Sequence, residues 1–208
     1  MMRAMTIVLH GFQMSPNTRR ALLALEETGS AYRFEPVDLM TGQQKSEAYR
    51  KLNPTARVPT LVDGKVVLWE SNAILVYLAA KHPDRLFAGE TAAERGEVAR
   101  WMFMTASHLS PAMARIFAHT IRLPEDQRIP RLVEESRGEV DRSLSAVELH
   151  LQGTKREYLV GSFGIADLSL SPTLGFAAMI NVSLDAYPAV KAWFSRVQDR
   201  PAWKKVYA

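Results

Sequence analysis

The chain has 208 residues, 47% of them hydrophobic and 23% charged, with a formal net charge of +4. This is apolar material for a sizeable core, without the basic stripe or binding motif that a nucleic-acid partner requires. Cysteine is absent, which excludes disulfides, zinc–thiolate centres and a protein thiol nucleophile. No apolar run reaches membrane-spanning length, and the N-terminal apolar stretch is only a strand's worth. No membrane, metal or nucleic-acid partner is expected, and a cytoplasmic location is.

The elements follow in chain order. Met5 to His10 is an apolar run suited to a buried strand, and Gly11 to Asn17 is a loop. From Thr18 to Thr28, Ala21, Leu22 and Leu25 recur at helical spacing, and Gly29 ends that helix. Tyr32 to Val37 reads as a second strand, followed by a polar, partly helical stretch from Thr41 to Lys51. Val58 to Val62 and Lys65 to Leu68 flank Asp63-Gly64, a hairpin signal. A helix then runs from Ser71 to Lys81, before His82-Pro83. Residues 83–92 form a Pro/Gly/Asp-containing connector, after which helical periodicity dominates. The expected helices there are Glu94–Ser107, Pro111–Thr120, Ile129–Gln152, Ile165–Ile180 and Ala189–Asp199. An α/β module over 1–82 thus joins an all-α module over 93–208.

Chemistry concentrates in the α/β module. In Trp69-Glu70-Ser71-Asn72 a strand runs directly into a helix whose first N–H groups are unsatisfied. Ser71 and that helix start suit a ligand carboxylate, while Glu70 suits a ligand ammonium; the bland alternative is a plain start signal. A cis bond at Val58-Pro59 would free the Val58 backbone to pair with an extended peptide, whereas a trans proline at a strand start would be merely structural. In the loop Phe12-Gln13-Met14-Ser15-Pro16-Asn17, either Ser15 or Asn17 is a donor near a helix start or simply its N-cap. No Gly-x-Ser-x-Gly elbow surrounds Ser15, so a nucleophilic serine is not indicated.

Taken together, Ser15-Pro16-Asn17-Thr18-Arg19-Arg20, Leu52-Asn53-Pro54-Thr55-Ala56-Arg57-Val58-Pro59, the Asp63-Gly64 hairpin and Trp69-Glu70-Ser71-Asn72-Ala73-Ile74 resemble a soluble glutathione S-transferase. The resemblance spans nearly the whole chain. It includes Gly164-Ile165-Ala166-Asp167-Leu168, similar to the family's N-capping box but with Gly164 in place of Ser or Thr. It implies a thioredoxin-like N-terminal domain followed by an all-helical domain that lines the electrophile site. Glutathione is implied as co-substrate, without a further cofactor, and the assembly as a homodimer. Position by position, Glu70 and Ser71 match the holders of the γ-glutamyl end, and Val58 before Pro59 the backbone that meets the cysteinyl part. Gln44 and Lys45 match the pair at the glycine carboxylate, with Arg57 in the same binding motif. Ser15 matches the thiol-activating serine of phi and theta-like classes, and Asn17 a donor of several bacterial relatives. Phe12, Met14, Trp101, Met104, His108, Met113 and Phe117 are the implied wall for a small hydrophobic electrophile. The implied activity is conjugation of the glutathione thiolate; the alternatives are a glutathione-dependent peroxidase or disulfide reductase, and a non-catalytic ligand-binding relative.

Overall fold

The computed structural model describes residues 6–208. Met5, placed at the first strand by sequence, lies outside them. The described residues up to Ala88 join Pro201–Ala208 in one compact unit, and Gly89–Arg200 form a second.

The first unit begins with β1 (Ile7–Gly11), α1 (Pro16–Thr28) and β2 (Tyr32–Pro36), the two strands lying parallel with Leu9 opposite Phe34. A 3₁₀ turn at Gln43–Lys45 leads into α2 (Glu47–Leu52), whose N-cap Ser46 accepts the Tyr49 N–H at 3.2 Å. β3 (Thr60–Asp63) and β4 (Val66–Trp69) form the hairpin, and α3 (Ser71–Lys81) starts without an intervening loop. The sheet order is β2-β1-β3-β4, with β3 antiparallel to both neighbours. Asp63 pairs with Val66, so the turn is Gly64–Lys65 rather than Asp63-Gly64, and Gly64 takes the left-handed conformation (φ 63°). α1 and α3 pack together, and Leu9, Leu61, Leu23, Leu25, Ile74, Leu75 and Leu78 close a dry core.

One element of this unit was missing from the sequence reading. α9 (Pro201–Tyr207), at the far end of the chain, packs on α1 and buries Ala202, Trp203 and Val206. Lys205 Nζ reaches Glu26 Oε2 at 2.7 Å, and the Arg19 guanidinium lies 3.9 Å above the Tyr207 ring. The helical module therefore does not run from 93 to 208: its last helix belongs with the α/β module.

The second unit holds α4 (Ala92–Met104), α5 (Ser110–Phe117), α6 (Pro130–Thr154), α7 (Ile165–Leu174) and α8 (Pro188–Gln198). The sequence separates α4 from α5, but π turns at Thr105–Leu109 and Ala118–Arg122 make residues 92–122 one continuous helix. In the first π turn the Ser110 N–H bonds Thr105 O, one residue farther back than in an α-helix, and this slack accommodates Pro111. Helix α7 stops at Leu174, before Gly175, and only a 3₁₀ turn at Ala178–Ile180 continues the expected run. Among the described residues no helix is long and apolar enough to cross a membrane.

Candidate active site

Where β1 ends, Gly11 leaves room that a β-carbon would lose: such an atom would stand 2.4 Å from Thr18 Cγ2. Thr18 is buried there, and its Oγ1 accepts the Phe12 N–H at 3.2 Å. The loop then turns, with Ser15 N–H on Phe12 O at 2.9 Å, and Pro16 opens α1 at a position that needs no N–H donor. Ser15 stands at the N-cap, yet its hydroxyl makes no capping bond. Among the described residues it has no other partner, so this oxygen is not spent on the helix. Arg19 braces the same loop, donating through Nε to Gln13 O at 3.1 Å.

Asn17 is exposed, and its Oδ1 accepts a hydrogen bond from Arg20 Nη1. Arg20 is only 3% exposed and also reaches Ser71 Oγ at 3.3 Å. Burial lowers its pKa to about 10, against the opposing influence of Tyr207 and Glu70, so it remains a cation at neutral pH. Ser71 is the first residue of α3 and is buried; Glu70 before it is exposed, with left-handed backbone (φ 71°). A non-glycine residue held there costs roughly 1–3 kcal/mol and is retained where surrounding structure or function demands it.

The Val58-Pro59 bond is cis. Its approach is fixed by two donors on Arg57 O, Asn53 Nδ2 at 2.8 Å and Tyr49 OH at 2.7 Å. Tyr49 OH also meets Thr60 Oγ1 at 2.9 Å, tying α2 to the start of β3. Among the described residues the Val58 backbone has no hydrogen-bond partner, which leaves a short open edge. Gln44 Oε1 is buried without a hydrogen-bond partner, while Lys45 and Arg57 are exposed.

Beside the Ser15 loop a cleft of about 580 Å³ is lined by Phe12, Met14, Phe34, Pro36, Val37 and Asp38, among others. Of the expected wall residues, Phe12 and Met14 line this cleft. In the second unit Met113 and Trp101 are core residues instead, Trp101 packing edge-on against the His150 ring at 4.8 Å. Their large apolar surfaces fill helix packing and do not line an open wall. Met104 and Phe117 are partly exposed, and His108 is exposed with Nδ1 3.4 Å from Glu139 Oε1.

The sequence reading missed Arg20 as part of the site. The signal was present: Arg20 shares the helical stripe of Leu23 and Ala24, a core-facing position where an arginine requires partners. The Asn53 and Tyr49 supports were missed for a different reason, since no spacing rule links them to Arg57.

Residues 5–80 match the glutathione S-transferase N-terminal domain, and residues 99–201 the glutathione S-transferase C-terminal domain. Glutathione S-transferase F9 of Arabidopsis thaliana is 35% identical over 207 residues, spanning 91% of each chain. Glutathione S-transferase 1 of Zea mays is 36% identical over 208 residues, or 96% of this chain and 95% of its own. The chain belongs to the glutathione S-transferase family. Among solved structures, glutathione S-transferase-I bound with lactoylglutathione shares 32% identity at a TM-score of 0.84, covering 97% of this chain and 98% of that one. Ure2p in complex with glutathione superposes at a TM-score of 0.90 and 25% identity, covering 99% of this chain and all of its own. As a glutathione S-transferase, the chain thus joins a thioredoxin-like domain to a helical one.

Proposed function

We propose that this transferase holds glutathione across the first unit and presents its thiolate, at the start of α1, to an apolar electrophile in the adjoining cleft. The observation that carries this reading is the single buried Arg20, hydrogen-bonded to both Asn17 and Ser71. It ties the loop that would activate the thiol to the residue that would anchor the γ-glutamyl carboxylate. In this reading Glu70 receives the γ-glutamyl ammonium and the open Val58 backbone pairs with the cysteinyl unit. Gln44 and Lys45 meet the glycine carboxylate, with Arg57 close in sequence to the Val58 edge. Phe12 and Met14, which line that cleft, supply apolar contact to the electrophile. The family's homodimer and a cytoplasmic location complete the proposal.

The energetics suffice without a general base. A free thiol titrates near ~8.5, so making it mostly thiolate at neutral pH takes about 2.7 kcal/mol of preferential stabilisation. A hydrogen bond from Ser15 or Asn17 to the anion contributes roughly 1.5–3 kcal/mol, and the α1 start up to about 2 kcal/mol. The proton leaves to solvent; the sulfur lone pair then forms the C–S bond as the leaving group departs with its electrons. Thiolate absorbance of bound glutathione against pH tests this for wild type, Ser15→Ala and Asn17→Ala. A bound pKa well below the free value, partly restored by one substitution or shared between both, is the expected result. Saturable binding with an unshifted thiol would sink the transferase mechanism. Product analysis separates the chemistries, since a thioether marks conjugation and glutathione disulfide marks peroxidase or reductase work.

A further inference from the structure

Arg20 carries more than a link between two parts of the site. A guanidinium is a donor only, so whatever faces it must accept. The Asn17 atom toward Arg20 is therefore the carbonyl oxygen, and the amide NH₂ at the exposed end is left as a donor. The same logic applies to Ser71: its Oγ accepts from Arg20 at 3.3 Å, which turns its own hydrogen elsewhere. One buried cation thus leaves donor hydrogens on both neighbouring side chains, the polarity needed by an anionic sulfur and an anionic carboxylate.

We propose that Arg20 is the positioning residue of this active site, acting on the thiol through Asn17 and on the γ-glutamyl carboxylate through Ser71. The inference rests on the glutathione reading above. Arg20 has no need to touch the ligand: buried on α1 against the start of α3, it fixes the polarity of the two groups that do. Burial is the largest influence on it and lowers its pKa to about 10 despite Tyr207 and Glu70, which still leaves it a cation at neutral pH. Both bonds leave from Nη1, whose two hydrogens are fixed in the guanidinium plane; a lysine there would keep the charge, but its freely rotating ammonium does not hold those two directions.

A double-mutant cycle distinguishes positioning from a general effect of buried charge. The readouts are the thiol pKa of bound glutathione, by thiolate absorbance, and the affinity for S-methylglutathione, which has no thiol to ionise. Arg20→Gln is expected to raise the bound thiol pKa by about 1, equal to about tenfold less thiolate below that pKa. In an Asn17→Ala background the same substitution should leave the pKa nearly unmoved, because the group it acts through is gone. S-methylglutathione should bind several-fold more weakly in both backgrounds, through Ser71. Equal pKa rises in both backgrounds would mean that Arg20 acts by charge alone and would overturn the proposal. Should Arg20→Gln fail to fold by circular dichroism, Arg20→Lys retains the buried cation. It is expected to raise the pKa about half as much, and a wild-type value in that variant would equally overturn the proposal. A wild-type protein that binds glutathione with its thiol at the free pKa would instead defeat the glutathione reading before any variant is compared.

Discussion

Asp167 shows how much one buried side chain holds together. Its Oδ1 accepts Leu159 N–H at 3.0 Å and Trp193 Nε1–H at 2.7 Å, and its Oδ2 accepts Gly164 N–H at 3.0 Å. Gly164 at the N-cap has no side chain to return the bond, so the carboxylate supplies the capping box from its far side. Removing it strands three buried donors, each costing roughly 1–3 kcal/mol. Asp167→Ala should therefore lower unfolding free energy by about 3–5 kcal/mol in urea titrations at neutral pH. A loss below about 1 kcal/mol would mean that the donors find other partners. Burial raises the Asp167 pKa to about 6, outweighing the three donors. A folded pKa above the unfolded one adds stability that is complete below the unfolded value and lost as pH rises through about 6. The stability gap between wild type and Asp167→Ala should accordingly widen as pH falls from 7 to 4. The local half of this arrangement, Gly164 to Asp167, was legible in the sequence because a capping box is a four-residue pattern. The Trp193 partner was not, since nothing local links residues 26 apart. Arg20 divides in the same way: its helical stripe was readable, while its bond to Ser71 across 51 residues was not.

Among the elements, α9 is the clearest failure of local reading. Seven residues are too few for a stable isolated helix, so Pro201–Tyr207 owes its form to docking on α1. Hydrophobic periodicity over so short a span is easily taken for a tail. The longer elements, α1, α3 and α6, were found because they extend over several turns of consistent pattern. The π turns escaped because they lie within apolar helical sequence, and Pro111 was the misleading signal: proline usually breaks a helix. Docking of α9 rests chiefly on Trp203, which is buried and stacks on Tyr207 with ring centroids 4.0 Å apart. Trp203→Ala should cost about 3–5 kcal/mol, and amide hydrogen exchange should show the lost protection concentrated in α9 and α1. Uniform loss across both units would argue that α9 is not a discrete clasp on the first. Because Tyr207 also covers Arg19, which braces Gln13 in the Ser15 loop, the same variant should raise exchange in residues 12–15.

At the scale of the whole molecule, the apolar surface left bare on the first unit is the informative quantity. β4 is an edge strand, and its Val66, Val67 and Trp69 are 39%, 39% and 38% exposed; Val76, on α3, is 51% exposed. Sheet edges are usually protected by charge, proline or a covering element, and exposed apolar side chains on an edge strand invite a covering partner. The homodimer proposed for this transferase would provide such a cover if β4 and α3 lie in its interface. Light scattering on the purified chain of 23.3 kDa should return a mass of about 47 kDa, twice that value. Trp69→Lys combined with Val76→Glu places charges on the bare surface and should shift that mass towards the monomer. Thermal stability of the wild type should also rise with protein concentration, as mass action requires of an associating native state. A monomer at all concentrations, or a dimer indifferent to both charges, would remove β4 and α3 from the interface. Retained glutathione binding in a monomeric variant would further show that the Ser15, Val58 and Ser71 constellation, which lies in one compact unit, suffices within one chain.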